Sequence, residues 1–265
     1  MHLIVENQHT FDHLMVVGDT HGNNTQLAHH LLPNLPKEDK KAILHVGDFG
    51  IGFSTIRGDF DMMTHLNMKL KKANVFLYAI RGNHDDPEYF DISNDKYHSL
   101  THLSNIVLVP DHSLLALGFT PVSDDGKSLR IVKRIYCYGG AVSVDRCLRT
   151  VGKSYWGGEM VKEPTTKMLE EIPSDIDIIL THTRPEGVFP VSKDGIKGWM
   201  ERDMALENDL NIELSRITRV FNVISIKNPQ EMKHFYGHFH TSNSEHINNI
   251  KHQLLNIDEL IEIRL

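Results

Sequence analysis

Five short stretches of the chain hold residues that can ligate cations or move protons: Gly18-Asp19-Thr20-His21-Gly22, Gly47-Asp48, Gly82-Asn83-His84-Asp85, Thr181-His182 and Gly237-His238-Phe239-His240. Taken singly they say little. Gly-Asp is common turn chemistry, and an isolated histidine is ordinarily a surface or core residue. His-x-His is stronger, because in a strand the period of two puts both imidazoles on one face. As a set, Asp19, His21, Asp48, Asn83, His182, His238 and His240 offer carboxylates, imidazoles and an amide without a thiol. That mixture suits hard to borderline cations such as Mn, Fe, Zn or Mg. Seven donors are too many for one tetrahedral ion and enough for two that share a carboxylate.

Each stretch closes a short apolar run, at residues 14–17, 42–46, 75–80, 176–180 and 233–236, whose length and β-branched content predict buried strands. Helices are predicted over residues 25–32, stopped by Pro33, and over residues 60–72, where Met63, Leu66 and Leu70 recur at helical spacing. Alternating strand and helix implies a sheet-centred α/β core, and such sheets gather ligands beyond the carboxyl ends of their strands. Residues 106–109, 113–119 and 128–138 read as a meander broken by Pro110-Asp111 and by Asp124-Asp125-Gly126-Lys127. Residues 142–163 read as a long, irregular active-site loop. Two helices are expected within residues 197–221 and two short strands within 253–263. The motifs run through most of the chain, so residues 1–265 read as one domain.

The 265 residues carry 28 Lys plus Arg against 35 Asp plus Glu, a net charge of −7. An acidic balance disfavours binding of long nucleic acid, which rests on phosphate neutralisation. No apolar run approaches the roughly 20 residues of a membrane span, and the first residues lack the pattern of a secretory signal. Two cysteines, Cys137 and Cys147, fit a reducing compartment. A cytoplasmic protein without a membrane partner is the expectation.

The ordered series of motifs resembles the calcineurin-like metallophosphoesterases over about residues 14–241. The resemblance implies a four-layer α/β/β/α sandwich and two divalent metal ions, manganese first among the candidates. It also implies that Asp19, His21, Asp48 and His240 hold one ion, and that Asp48, Asn83, His182 and His238 hold the other. The implied reaction is attack of a metal-bridging hydroxide on phosphorus. His84 and Asp85 become the catalytic pair. His84 is free to protonate the leaving oxygen, and Asp85 either fixes its tautomer or caps a turn.

Arg81 is similar to an arginine of the protein-phosphatase branch that contacts substrate phosphate, and a guanidinium fork suits a dianionic monoester. The chain departs from that branch at Gly47-Asp48-Phe49-Gly50-Ile51-Gly52. Its His238-Phe239-His240 is more like the phosphodiesterase branches. Arg184 and Arg149 are further candidates for binding substrate, with Trp156 as a stacking face or a buried anchor. The expected activity is a phosphomonoesterase acting on a phosphorylated small molecule, a nucleotide or a phosphoprotein. A phosphodiesterase of cyclic nucleotides, dinucleotides or nucleic-acid ends is the alternative. A binding module without turnover is disfavoured because no motif residue is missing.

Overall fold

In β2 (His13–Val17), β3 (Lys41–His45) and β4 (Val75–Ala79) every second residue faces an opposed sheet and the others face a helix. That is why these strands read as continuous apolar runs rather than alternating ones. The computed structural model describes residues 1–23, 27, 32–120 and 130–265. The helix expected over residues 25–32 and the break at Asp124-Asp125-Gly126-Lys127 lie, for the most part or wholly, outside the described residues.

Twelve strands form two sheets among these residues. The first strand is β1 (His2–Phe11), and β5 (Ile106–Leu108), β6 (Ser113–Phe119), β7 (Ile131–Tyr138), β8 (Ile178–Thr181) and β9 (Met232–Tyr236) follow β4. The chain ends with β10 (Asn243–Ile247), β11 (Ile250–Leu254) and β12 (Leu260–Ile263). One sheet runs β12-β2-β3-β4-β5 and the other β1-β6-β7-β8-β9-β11-β10. Leu14, Val16, Leu44 and Tyr78 of the first pack against Leu115, Ile135, Leu180 and Phe235 of the second.

Helix α1 (Ile56–Lys72) starts at Thr55, whose Oγ1 accepts from Gly58 N at 3.1 Å, an N-cap bond. It buries Met63, Leu66 and Leu70 on Met15, Val17 and Ile43, the outer face of the five-stranded sheet. The short helices α2 (Asp95–Leu100), α3 (Thr166–Glu170) and α4 (Lys197–Met200) precede α5 (Leu206–Lys227). Helix α5 lays Ile217, Val220, Phe221 and Ile224 on Tyr136, Ile179 and Met232, the outer face of the seven-stranded sheet. The layers are therefore helix, sheet, sheet, helix, as expected.

Three expectations need correction. The meander does not form: β5 is the parallel edge of one sheet, while β6 and β7 pair antiparallel in the other. Strand β1 was not expected, and its pairing is with distant β6 rather than with a sequence neighbour. The two strands expected within residues 253–263 are the end of β11 and β12, but β11 starts earlier, in an antiparallel hairpin with β10 that was not expected. Among the described residues no helix is long and apolar enough to cross a membrane.

Candidate metal centre

The parallel strands end level. Val17 pairs with His45 and His45 with Ala79, so the segments bearing Asp19, Asp48 and Asn83 leave the sheet side by side. His182 follows β8, and His238 and His240 follow β9, from the opposed sheet. The two sheets meet here, where His182 Nδ1 lies 2.8 Å from Val46 O. Side chains are excluded at the closest points. A Cβ on Gly82 would lie 2.1 Å from Asp48 Oδ1, and one on Gly237 would lie 2.0 Å from Asp19 Oδ1.

Four of the seven expected ligands sit in the left-handed region: His21, Asp48, His238 and His240, with φ of 47°, 54°, 70° and 50°. Such a conformation costs an L-residue roughly 1–2 kcal/mol, and its clustering marks functional sites. Neighbouring groups hold it in place. His21 N donates to Asp48 O at 2.8 Å, His238 N to Asp19 Oδ2 at 2.8 Å, and His84 N to Asp48 Oδ1 at 2.7 Å. The strand argument for His-x-His is corrected here. Strand β9 stops at Tyr236, and left-handed turns, not the period of two, aim the two imidazoles.

The donor atoms form two clusters. Those of Asp19, His21, Asp48 and His240 lie within 4.8 Å of one another, as do those of Asp48, His182 and His238, with Asp48 in both. Asn83 joins the second through Oδ1, 3.1 Å from His182 Nε2. Its amide is oriented by Nδ2 donating to Ser143 Oγ at 3.0 Å, which in turn donates to Glu159 Oε2 at 2.8 Å.

The residues fit divalent cations. With His182 Nδ1–H held on Val46 O, its Nε2 meets two oxygens, Asp48 Oδ1 at 3.2 Å and Asn83 Oδ1 at 3.1 Å. An imidazole satisfies that arrangement only as a cation, or with its lone pair on a cation. Burial alone would lower its pKa; the carboxylates of Asp48 and Asp19 outweigh burial and raise it to about 10. Burial chiefly raises Asp19 to about 8, and its Oδ1 has no hydrogen-bond partner among the described residues. Asp48, although buried, is held well below the usual carboxylate range by His182. Burial lowers His21 to about 4 and also lowers His238 and His240, which favours their neutral forms. The sequence hint that His45 sits beneath the site holds: its Nε2 lies 3.0 Å from Thr20 Oγ1, and its Nδ1 accepts from Gly47 N at 3.2 Å.

His84 lies beside the clusters, its ring centroid 4.8 Å from that of His21. Its Nε2 is 2.7 Å from Arg149 Nη2. Because a guanidinium only donates, Nε2 accepts here and the imidazole proton is on Nδ1. Burial lowers the His84 pKa, and Arg149 adds to that. Arg149 also pairs with Asp145 at 2.6 Å. Phe53 stacks on His84 with centroids 6.0 Å apart and meets Trp156 edge-on at 4.8 Å. The sequence reading missed Phe53; the only signal was an aromatic in the glycine-rich turn after Asp48. Trp156 is buried, so it backs Phe53 instead of offering its own stacking face.

Asp85 does not reach the imidazole. Its oxygens accept from Phe49 N at 3.1 Å, Gly50 N at 2.7 Å, Ile51 N at 3.2 Å and Gly82 N at 2.8 Å. It ties the turn after Asp48 to the one carrying Asn83, which corrects the expected catalytic pairing. Arg81 is corrected too. It is wholly buried, and all its N–H groups are used. Nε and Nη2 bond Asp111, Nη1 the carbonyls of Gly158 and Glu159, and Nη2 also that of Met160. No fork is left for phosphate. Arg81→Met, which removes the guanidinium from the buried Asp111 carboxylate and leaves it only Lys162 and the Gly139 amide, should destabilise the fold by about 3 kcal/mol. Urea titration checks this, and a midpoint equal to wild type would refute the structural role. Arg184 lies further out, Nη1 donating to Pro185 O at 3.2 Å, on a cavity shared with His238. Arg146 is spent on Asp203 and Asp209 at 2.6 and 2.7 Å.

Residues 13–242 match the model of the calcineurin-like phosphoesterase family, and the chain belongs to that family. No curated protein sequence is a significant match. Among solved structures the chain is similar to a phosphopantetheinyl hydrolase from Mycobacterium tuberculosis, at 14% identity and a TM-score of 0.48, covering 94% of this chain and 91% of that one. It is also similar to a protein serine/threonine phosphatase from Saccharomyces cerevisiae, at 14% identity and a TM-score of 0.32, covering 97% and 71%. The protein is a metal-dependent phosphoester hydrolase.

Proposed function

We propose that the protein is a cytoplasmic phosphomonoesterase with two divalent cations, manganese first among them. Asp19, His21, Asp48 and His240 hold one, and Asp48, Asn83, His182 and His238 hold the other. The observation that carries this reading is the pair of donor clusters sharing Asp48, with His84 beside them. A bound pair of cations lowers the pKa of water and offsets charge on phosphoryl oxygens. The remaining work falls to the chain. Arg149 takes the place foreseen for Arg81: its guanidinium, next to His84 Nε2, binds a terminal phosphate oxygen of a dianionic monoester. Drawing Arg149 onto phosphate frees Nε2, which takes up a proton from solvent water and passes it to the leaving oxygen. Phe53, backed by Trp156, stacks on the imidazole and helps to fix its plane. Asp85 and the Ser143–Glu159 pair hold the ligand loops still. Both sheets supply ligands, so the whole chain works as one domain. The unpaired Cys137 and Cys147 accord with a reducing cytoplasm.

The test is hydrolysis of nitrophenyl phosphate against bis(nitrophenyl) phosphate by protein reconstituted with Mn, alongside elemental analysis. The expected result is about two metals per chain and a higher kcat/KM on the monoester. Preference for the diester would overturn the monoester reading, and one metal or none would overturn the dinuclear one.

A further inference from the structure

The segment after Asp48 places its apolar residues unequally. Phe49 and Ile51 are wholly buried, whereas Phe53 is 45% exposed. A lone exposed phenylalanine on a loose loop would need no explanation. This loop is tied down on both sides of it. The N–H groups of Phe49, Gly50 and Ile51 all donate to Asp85, and Ile51 O accepts from Asp86 N at 2.8 Å. Gly52 has a φ of 105°, and a Cβ on it would lie 2.3 Å from Asp86 Cβ. Only glycine allows that turn and that close approach. Beyond the turn lies Asp59, a buried carboxylate in the first turn of α1, whose Oδ2 accepts from Tyr89 Oη at 3.0 Å. Burial raises the pKa of Asp59; the Tyr89 bond and the amides of Gly52 and Ser54, one on each side of Phe53, oppose that rise. Two buried carboxylates thus act on the backbone before and after the one apolar side chain of this turn that the fold leaves in water.

That side chain stands where the leaving group departs. Its ring stacks on His84 with centroids 6.0 Å apart, and the buried Trp156 braces it at 4.8 Å. Under the proposed mechanism His84 Nε2 protonates the leaving oxygen, so the departing alcohol begins beside this imidazole. Its first few carbons then pass within reach of the exposed part of Phe53. From this geometry we infer that Phe53 is a specificity-determining residue that contacts the leaving alcohol. The favoured substrate is a phosphomonoester whose alcohol carries an apolar body, best an aromatic ring, a few carbons from the ester oxygen. Covering Phe53 removes apolar surface from water, and an aromatic partner adds an edge or offset ring contact to that gain. An alcohol that is charged or rich in hydroxyls at that distance gains neither. This specificity rests on the phosphomonoesterase reading and adds a class of leaving group to it.

The experiment compares phenylethyl phosphate with ethyl phosphate in Mn-reconstituted protein. Both alcohols are poor leaving groups of similar acidity, so both need the same proton from His84. Burial of a phenyl ring against Phe53 predicts a preference for the phenylethyl ester of about tenfold in kcat/KM. In Phe53→Ser that preference should disappear. In Phe53→Trp it should stay at the wild-type level or above, since indole offers a larger apolar surface. A residue that only steadied His84 would behave differently: Phe53→Ser would slow both esters alike and leave their ratio unchanged. That result overturns the inference. So does a wild-type enzyme that cleaves the two esters equally well, a measurement that needs no variant to fold. Nitrophenyl phosphate separates the two levels. If wild type cleaves it but shows no phenylethyl preference, only the Phe53 assignment fails. If wild type with its metals cleaves none of the three esters, the phosphoesterase reading itself fails.

Discussion

Asp48→Asn should lose more metal and more turnover than replacement of any ligand belonging to a single cluster. Asp48 alone contributes to both donor sets, lying 3.7 Å from His21 Nδ1 and 3.2 Å from His182 Nε2. Asparagine keeps the shape, and its Oδ1 can still accept from His84 N, a bond of 2.7 Å in this structure. The fold should therefore survive while the charge that holds two cations together is gone. It also leaves His182 without the carboxylate that balances it. Lewis-acid activation is worth several kcal/mol, and about 4 kcal/mol corresponds to roughly a thousandfold in rate. The expected loss in kcat/KM is thus on the order of a thousandfold or more, with metal content well below two per chain. His240→Asn, at the half-exposed edge of one cluster, should cost less on both measures. Elemental analysis with steady-state kinetics in Mn decides it. An Asp48→Asn enzyme with two metals and a rate within tenfold of wild type would sink the ligand assignment.

His84→Asn should leave both metals bound and slow turnover in proportion to the leaving group's need for a proton. A positioned general acid is worth about 10²–10⁴-fold. An alkyl phosphate departs as a poor alkoxide and should show that full loss. A nitrophenol departs almost unaided and should show little. The contact with Arg149 sharpens the expectation. Nε2 is occupied by a guanidinium donor before substrate arrives, so Arg149→Ala should weaken phosphate binding, raising KM, without the leaving-group dependence of His84→Asn. Asp85→Asn should not mimic His84→Asn in weaker form. Its carboxylate bonds four backbone amides and no imidazole, so stability is what should fall. If His84→Asn strips a metal, His84 is itself a ligand. If alkyl and aryl esters slow equally with metals retained, His84 binds the phosphoryl group instead of protonating the leaving oxygen.

The amino-acid order by itself picked out the residues whose donor atoms cluster at the strand ends, and the strands beneath them. An apolar run ending in Gly-Asp, Gly-Asn-His or Thr-His carries both the element and its functional terminus within a few residues, so local chemistry suffices to read it. The family's order of motifs joined Asp19, His21, Asp48, Asn83, His182, His238 and His240 into one site, although they span most of the chain. What stayed hidden were choices made by contacts distant in sequence. Arg81 and Asp85 flank the same motif as His84. Only tertiary structure gives Arg81 to Asp111 and the carbonyls of residues 158–160, and Asp85 to the amides of residues 49–51, leaving His84 beside the donor cluster of His21 and in contact with Arg149. Glu213 looked like any polar residue of a surface helix, because its burial depends on α5 covering the seven-stranded sheet. Strand β1 pairs with β6 more than a hundred positions away, a partner that no local pattern encodes. Residue type fixes which chemistry a side chain can perform; which partner uses it up, and so which chemistry remains, is decided by packing.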